Sequence, residues 1–184
     1  MADPLVTMHE LFDQLAAIDL TILSTDQLGG LAIGLGRGID RLTAFHGKIV
    51  HAADERRAWT GDGARDVEEW LSNNTGTSKG QAKSRKKLGE ALDKSKKLDD
   101  AVNDGELSAA AAEQLHDAVT NPPAGTAVIM SGTGMASLDA LAEMAARMTQ
   151  PLLPSNLCTA WALLQALEVR PPPIWKTVAP KLAK

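Results

Sequence analysis

Cysteine is almost missing from this sequence. Cys158 stands alone, so no disulfide can close within the chain and no cysteine-based zinc cluster can be assembled. That usage fits a reducing compartment, and a cytoplasmic location is expected. Tyrosine is absent, and two Phe and four Trp are the only aromatic residues. A sheet-rich sandwich would need more aromatic and β-branched side chains, whereas abundant Ala and Leu suit packed helices. Long hydrophobic runs are missing too. The glycine-rich apolar stretch 28–36 stops at Arg37, far short of a bilayer span, so no membrane partner is expected. The N-terminus carries Asp3, Glu10 and Asp13 and has no basic start followed by an apolar block, which argues against a secretory signal.

Catalytic patterns are also lacking. There is no Gly-x-Ser-x-Gly elbow and no Gly-x-x-x-x-Gly-Lys-Ser/Thr phosphate loop. Of the histidines His9, His46, His51 and His116, the middle two are five residues apart and fall on different sides of a helix, which suits surface or boundary positions better than joint metal ligation. Cys158, beside Thr159 and Trp161, has no base in its local sequence and reads as a packed thiol. The pairs Glu68-Glu69 and Asp99-Asp100 are adjacent, diverge around a helix and read as solvated charge. No catalytic residue, metal, cofactor or small-molecule ligand is therefore indicated.

What is present is a foldable, 44% hydrophobic chain with helical periodicity along most of its 184 residues. Leu5, Met8, Leu11, Phe12, Leu15, Ile18 and Ile22 mark the buried face of a first helix. Ser24 and Gln27 read as a capping box that opens a second, long helix with the stripe Leu28, Leu31, Leu35, Ile39, Leu42, Phe45 and Ile49. Gly30, Gly34 and Gly38 line one edge of that helix and would let another helix approach closely, within the fold or from a partner. A phosphate cradle at Gly34-x-Gly36-x-Gly38 is the weaker reading, since no strand precedes it.

Turns at 60–63 and 73–77 flank a short helix through Val67, Trp70 and Leu71, and Ser78 caps the helix that follows. Trp59 and Trp70 read as core anchors rather than base-stacking platforms. Asn103-Asp104-Gly105 ends this region and Ser108 caps an alanine-rich helix. The expected architecture is all-α: a multi-helix bundle with two long N-terminal helices and a central segment like a helix-turn-helix. The expected organisation is a helical domain over 1–120, a linker over 121–134, and a helical C-terminal extension over 135–184. That extension has helices over 135–148 and 155–169 and a mobile tail from Ile174 to Lys184.

Charge is distributed unevenly. The window 79–97 holds eight cations against Glu90 and Asp93 and carries +6, leaving −10 for the rest of a chain whose formal net charge is −4. At helical spacing Lys79, Lys83, Lys86, Lys87, Lys94 and Lys97 fall within an arc of about 100°, with Leu88, Ala91 and Leu92 on the other side. Such a ridge can track phosphates and release their counterions. As the second helix of a helix-turn-helix it would set Lys79, Lys83, Lys86 and Lys87 on phosphates, with Arg85 flanking. Gln81, Ser84 and Arg85 would then be the candidate base readers. The ordinary alternative is a solvated helix face, and an overall pI near 5.5 counts against tight non-specific DNA binding.

The residues Gly63-Ala64-Arg65, Trp70-Leu71, Thr75-Gly76-Thr77-Ser78, Ala82, the basic run, Leu92, Leu98 and Gly105-Glu106-Leu107-Ser108 together resemble the N-terminal region of the actinobacterial 13E12 repeat family. In that family this region, of unknown function, often precedes an HNH endonuclease domain. The resemblance covers about residues 5–149 and is clearest over 63–119. It implies an association with DNA in actinobacterial phages or mobile elements and a helical module beside a nuclease. It supplies no catalytic residues: the HNH half needs a histidine-rich metal site, and no histidine follows Val119. The chain departs from the family after Gln150, and it has Ser95-Lys96 where the family often has a Leu-Pro break. Whether one helix or two spans 78–102 is left open. The leading expectation is a non-catalytic, DNA-associated helical module. The alternatives are a protein-interaction or oligomerisation module built on the glycine-edged helix, and a truncated HNH nuclease without its catalytic domain.

Overall fold

The computed structural model describes residues 3–121, 128–130, 138–148, 152–168, 170 and 173. The fold is an all-α multi-helix bundle. By contact density it divides into two compact units, Met1–Gly36 and Arg37–Lys184. No helix among the described residues is long and apolar enough to cross a membrane.

In the first unit, α1 (Pro4–Ala16) starts where Asp3 accepts a hydrogen bond from the Leu5 amide at 2.9 Å, with Pro4 at the position whose missing N–H costs nothing. A single 3-10 turn (Leu20–Ile22) follows, opened by Asp19, whose carboxylate accepts from both the hydroxyl and the amide of Thr21 and is held below its usual pKa by those bonds. The 31-residue α2 (Thr25–Glu55) opens on the expected capping box, with Ser24 N–H to Gln27 Oε1 at 2.9 Å and Gln27 N–H to Ser24 Oγ at 3.2 Å. One expectation fails here. The first helix ends at Ala16 and has no buried residue, and Leu5, Val6, Leu11 and Phe12 are exposed. Amphipathic spacing says that a face favours burial, not that its own chain supplies the cover.

The second unit is built around α4. After α2 come α3 (Val67–Thr75), α4 (Lys79–Lys94), α5 (Lys96–Asn103), α6 (Ala109–Thr120), α7 (Leu138–Ala146) and α8 (Ser155–Ala166). Asp66 caps α3, Ser108 caps α6, and Gly76 and Gly105 end α3 and the α5 turn at φ of 70° and 74°, backbone that favours glycine. The region 78–102 is two helices. Ser95 adopts an extended conformation (φ −141°, ψ 101°), closes α4, and opens α5 by accepting the Leu98 amide through its hydroxyl.

A serine is enough to make this break. The break needs an extended residue and a side-chain acceptor, not a lost N–H. The main core gathers Leu88 and Leu92 of α4, Leu98 and Val102 of α5, Leu115 of α6, and Leu141 and Met144 of α7. A smaller cluster joins Val50, Val67, Leu71 and Ala82, with Trp59 and Trp70 packed on its margin. Both tryptophans thus flank a core, as read from sequence.

Within the stretch read as a linker, β1 (Val128–Met130) pairs in parallel with β2 (Leu152–Pro154), Val128 opposite Leu152. Three-residue strands carry too little periodicity to be seen in advance. Positions 122–127 and 131–134 of that linker, positions 135–137 of the helix expected over 135–148, and the tail from Ile174 to Lys184 lie outside the described residues.

Candidate nucleic-acid interface

The α3–turn–α4 segment forms as a helix, a tight turn and a helix. Its second helix is pinned by a reciprocal cap, Gln81 N–H to Ser78 Oγ at 3.2 Å and Ser78 N–H to Gln81 Oε1 at 3.3 Å. Ser78 therefore does what its position suggested. Gln81, a candidate base reader, is exposed but engaged in the cap. Ser84, another, donates its hydroxyl to the Glu113 carboxylate of α6. Arg85 is half-buried, and its charge adds to burial in pulling the His46 imidazole below its ordinary pKa.

The lysine ridge is largely spoken for. Lys86 Nζ lies between Asp54 of α2 at 2.9 Å and Glu68 of α3 at 3.2 Å. Burial pulls the Lys86 ammonium down, but the two carboxylates outweigh it and its pKa sits above the ordinary value. Lys87 Nζ meets Asp117 of α6 at 2.9 Å, a bond that raises the lysine's pKa. Lys79 Nζ reaches Glu69 at 3.0 Å, and the same carboxylate accepts from Arg65. Glu69 is held far below the usual carboxylate range, first by the Arg65 side chain, then by the Arg65 amide and by Lys79. Lys94 pairs with Glu90 on its own helix. Among the described residues Lys83, Arg85 and Lys97 make no ion pair.

The adjacent acids Glu68 and Glu69, read as solvated charge, are therefore the partners that draw α3 and α4 together. Asp99 does the same for α2 and α5, accepting from Lys48 at 2.8 Å. These pairings have no local signal, because the partners are 10, 18 and 51 residues apart, beyond the reach of one helical turn. At its start α4 is open to solvent over a turn and a half, where Lys79, Gly80, Gln81 and Lys83 are exposed, with Arg65 beside Lys79 through their shared Glu69; at its other end Asp93 and Lys94 are exposed too.

No described helix of the chain itself approaches the glycine edge. A Cβ at Gly30, Gly34 or Gly38 would meet nothing within 4 Å among the described residues. The close helix approach falls at Gly47 of α2 and Gly89 of α4, both buried. The one hint was a glycine interrupting the apolar face between Leu88 and Leu92.

His46 and His51 are half-buried boundary residues, with His51 Nε2 3.8 Å from Glu55. His116 is buried on α6 against α4, which its place in an alanine-rich helix did not reveal. No cluster of His, Cys, Asp and Glu among the described residues could hold a metal ion. Compared with family models, with curated proteins and with solved structures, the chain matches none.

Proposed function

We propose that the chain is a non-catalytic, DNA-associated helical module of the kind its resemblance to the 13E12 repeat family implies, working beside a nuclease domain rather than cutting DNA itself. The observation that carries this reading is the exposed start of α4: Lys79 and Lys83 stand one turn apart on the open end of a helix-turn-helix, with Arg65 alongside. In helix-turn-helix proteins it is the N-terminal part of the second helix that meets DNA. The contact is smaller than the whole ridge. Lys86 and Lys87 hold neighbouring helices, and Ser84 is turned to Glu113, so the contact is to phosphate and carries little base reading.

With about three phosphates neutralised, affinity for a duplex falls roughly 20-fold for a threefold rise in salt. Fluorescence anisotropy of labelled duplex DNA tests this at low and at moderate salt. The reading predicts salt-sensitive binding that Lys79→Ala with Lys83→Ala reduces several-fold. No binding at low salt, or binding indifferent to both changes, would sink it.

A further inference from the structure

We infer that the uncovered face of α2 is a dimerisation seam on which a second copy of this chain lays its own α2. Leu28, Leu35, Leu42 and Ile49 recur at every seventh position, and Leu31, Gly38 and Phe45 follow the first three at a distance of three. This is the a/d pattern of a coiled coil, sustained along one continuous helix. The opposite face of α2 is the one its own chain uses, with Ala44, Gly47 and Val50 buried. Over its second half the heptad face is left open: Leu42 is 44% exposed, Phe45 58% and Ile49 51%, while Leu31 in the first half is half-buried. A seven-residue repeat, shorter than two full α-helical turns, is kept in register only by a second helix that winds around the first.

The seam also holds a shaped receptor for such a helix. A groove of about 410 Å³ is lined by Gly38, Arg41, Leu42 and Phe45, with Asn103 at its margin. Those four positions are i, i+3, i+4 and i+7, the four corners of the hole into which a facing knob inserts. Glycine at the d position Gly38 leaves the hole open, since a Cβ there would meet nothing within 4 Å among the described residues. In a parallel, in-register pair the residue opposite a d-g-a-d hole is the a residue of the same heptad, here Leu42 of the second copy. Knob and hole lie on the same helix, so one twofold operation satisfies both chains.

The occupant is a second copy rather than the chain's own α1 because of reach. The 13 residues of α1 make a rod of about 20 Å, against about 33 Å for the seam from Leu28 to Ile49. The flanks do not oppose pairing. Gly34, Ile39 and His46 stand at edge positions, Lys48 is already paired with Asp99, and Arg41 is the one exposed cation there without an ion pair among the described residues. A two-helix seam engages about four residues in seven, fewer than the roughly 20–30 per side of a standard interface, so the dimer is reversible at micromolar concentration.

Sedimentation equilibrium of the full chain across the micromolar range reads the state directly. The expected result is a mass rising from one chain to two with concentration. Leu42→Glu should weaken association at least ten-fold with an unchanged circular dichroism melt at low concentration, and Gly38→Leu, which fills the hole, should weaken it as well. Phe12→Glu should leave association intact. A single-chain mass throughout, association unaffected by Leu42→Glu, or association lost with Phe12→Glu but not with Leu42→Glu would each overturn the seam. None of these outcomes depends on whether DNA is bound.

Discussion

Gly47 and Gly89 meet backbone to backbone where α2 crosses α4. A Cβ on Gly89 would land against the carbonyl of Gly47, and one on Gly47 would come within 2.9 Å of the Arg85 carbonyl oxygen. Because the obstructing atoms are main-chain, neither clash can be relieved by a rotamer change. The contact brings the two helices close enough for Lys86 to reach Asp54. Gly89→Ala should therefore cost about 1–3 kcal/mol in urea unfolding. Gly30→Ala, in open space on the same α2, should gain up to about 1 kcal/mol from helix propensity. Equal effects at the two glycines would contradict the crossing.

Lys86 and Lys83 should separate structure from binding. Lys86 is partly buried between two carboxylates on different helices, so Lys86→Met leaves Asp54 and Glu68 facing each other and should cost about 1 kcal/mol. Lys83→Ala removes an exposed side chain with no ion pair among the described residues and should change stability by less than about 0.5 kcal/mol. Duplex titration should rank them in the opposite order. Paired chemical-denaturation and anisotropy measurements check both halves.

Acid should weaken the fold in two stages. Burial pushes the His116 and His46 imidazoles below the ordinary value of 6.5, so the folded state resists a proton that the unfolded chain accepts. Stability from these two is fully present above that value and is lost as pH falls through their lower folded pKa values. Glu90, Asp117, Lys94 and Lys87 face His116 with opposing charges, which leaves burial as the controlling influence. Glu69 and Glu90, held below 4.5 by Arg65 and Lys94 respectively, add a second loss at lower pH. Urea midpoints should drop between about pH 7.5 and about pH 5.5, and His116→Gln should flatten that slope.

Ser95 carries the boundary between α4 and α5. Its hydroxyl accepts the buried Leu98 amide at 3.2 Å, and the residue is itself buried. Ser95→Ala should cost about 1–2 kcal/mol, whereas Ser95→Thr or Ser95→Asp, which keep an acceptor, should separate according to how well each fits the core. Thermal melts of the three variants measure this.

Sequence alone determined several of the helix ends, though neither the stop of α1 at Ala16 nor the break at Ser95. Ser24 with Gln27, Ser78, and Ser108 each act on an amide within three residues of themselves, and Gly76 and Gly105 supply a backbone conformation that other residues disfavour. Those interactions are local, so periodicity and capping chemistry suffice to read them, and with them the all-α class. The tertiary structure decided what the lysines of α4 are for. Lys86 finds Glu68 across 18 residues and Lys87 finds Asp117 across 30, distances over which no spacing rule in the sequence operates. It also decided which glycines bring helices together, since close approach is a property of two backbones at once. A positive arc on a helical wheel thus became partly a set of clasps between α2, α3, α4 and α6, with the first turn and a half of α4 left as an outward-facing stretch in which Lys83 makes no ion pair among the described residues.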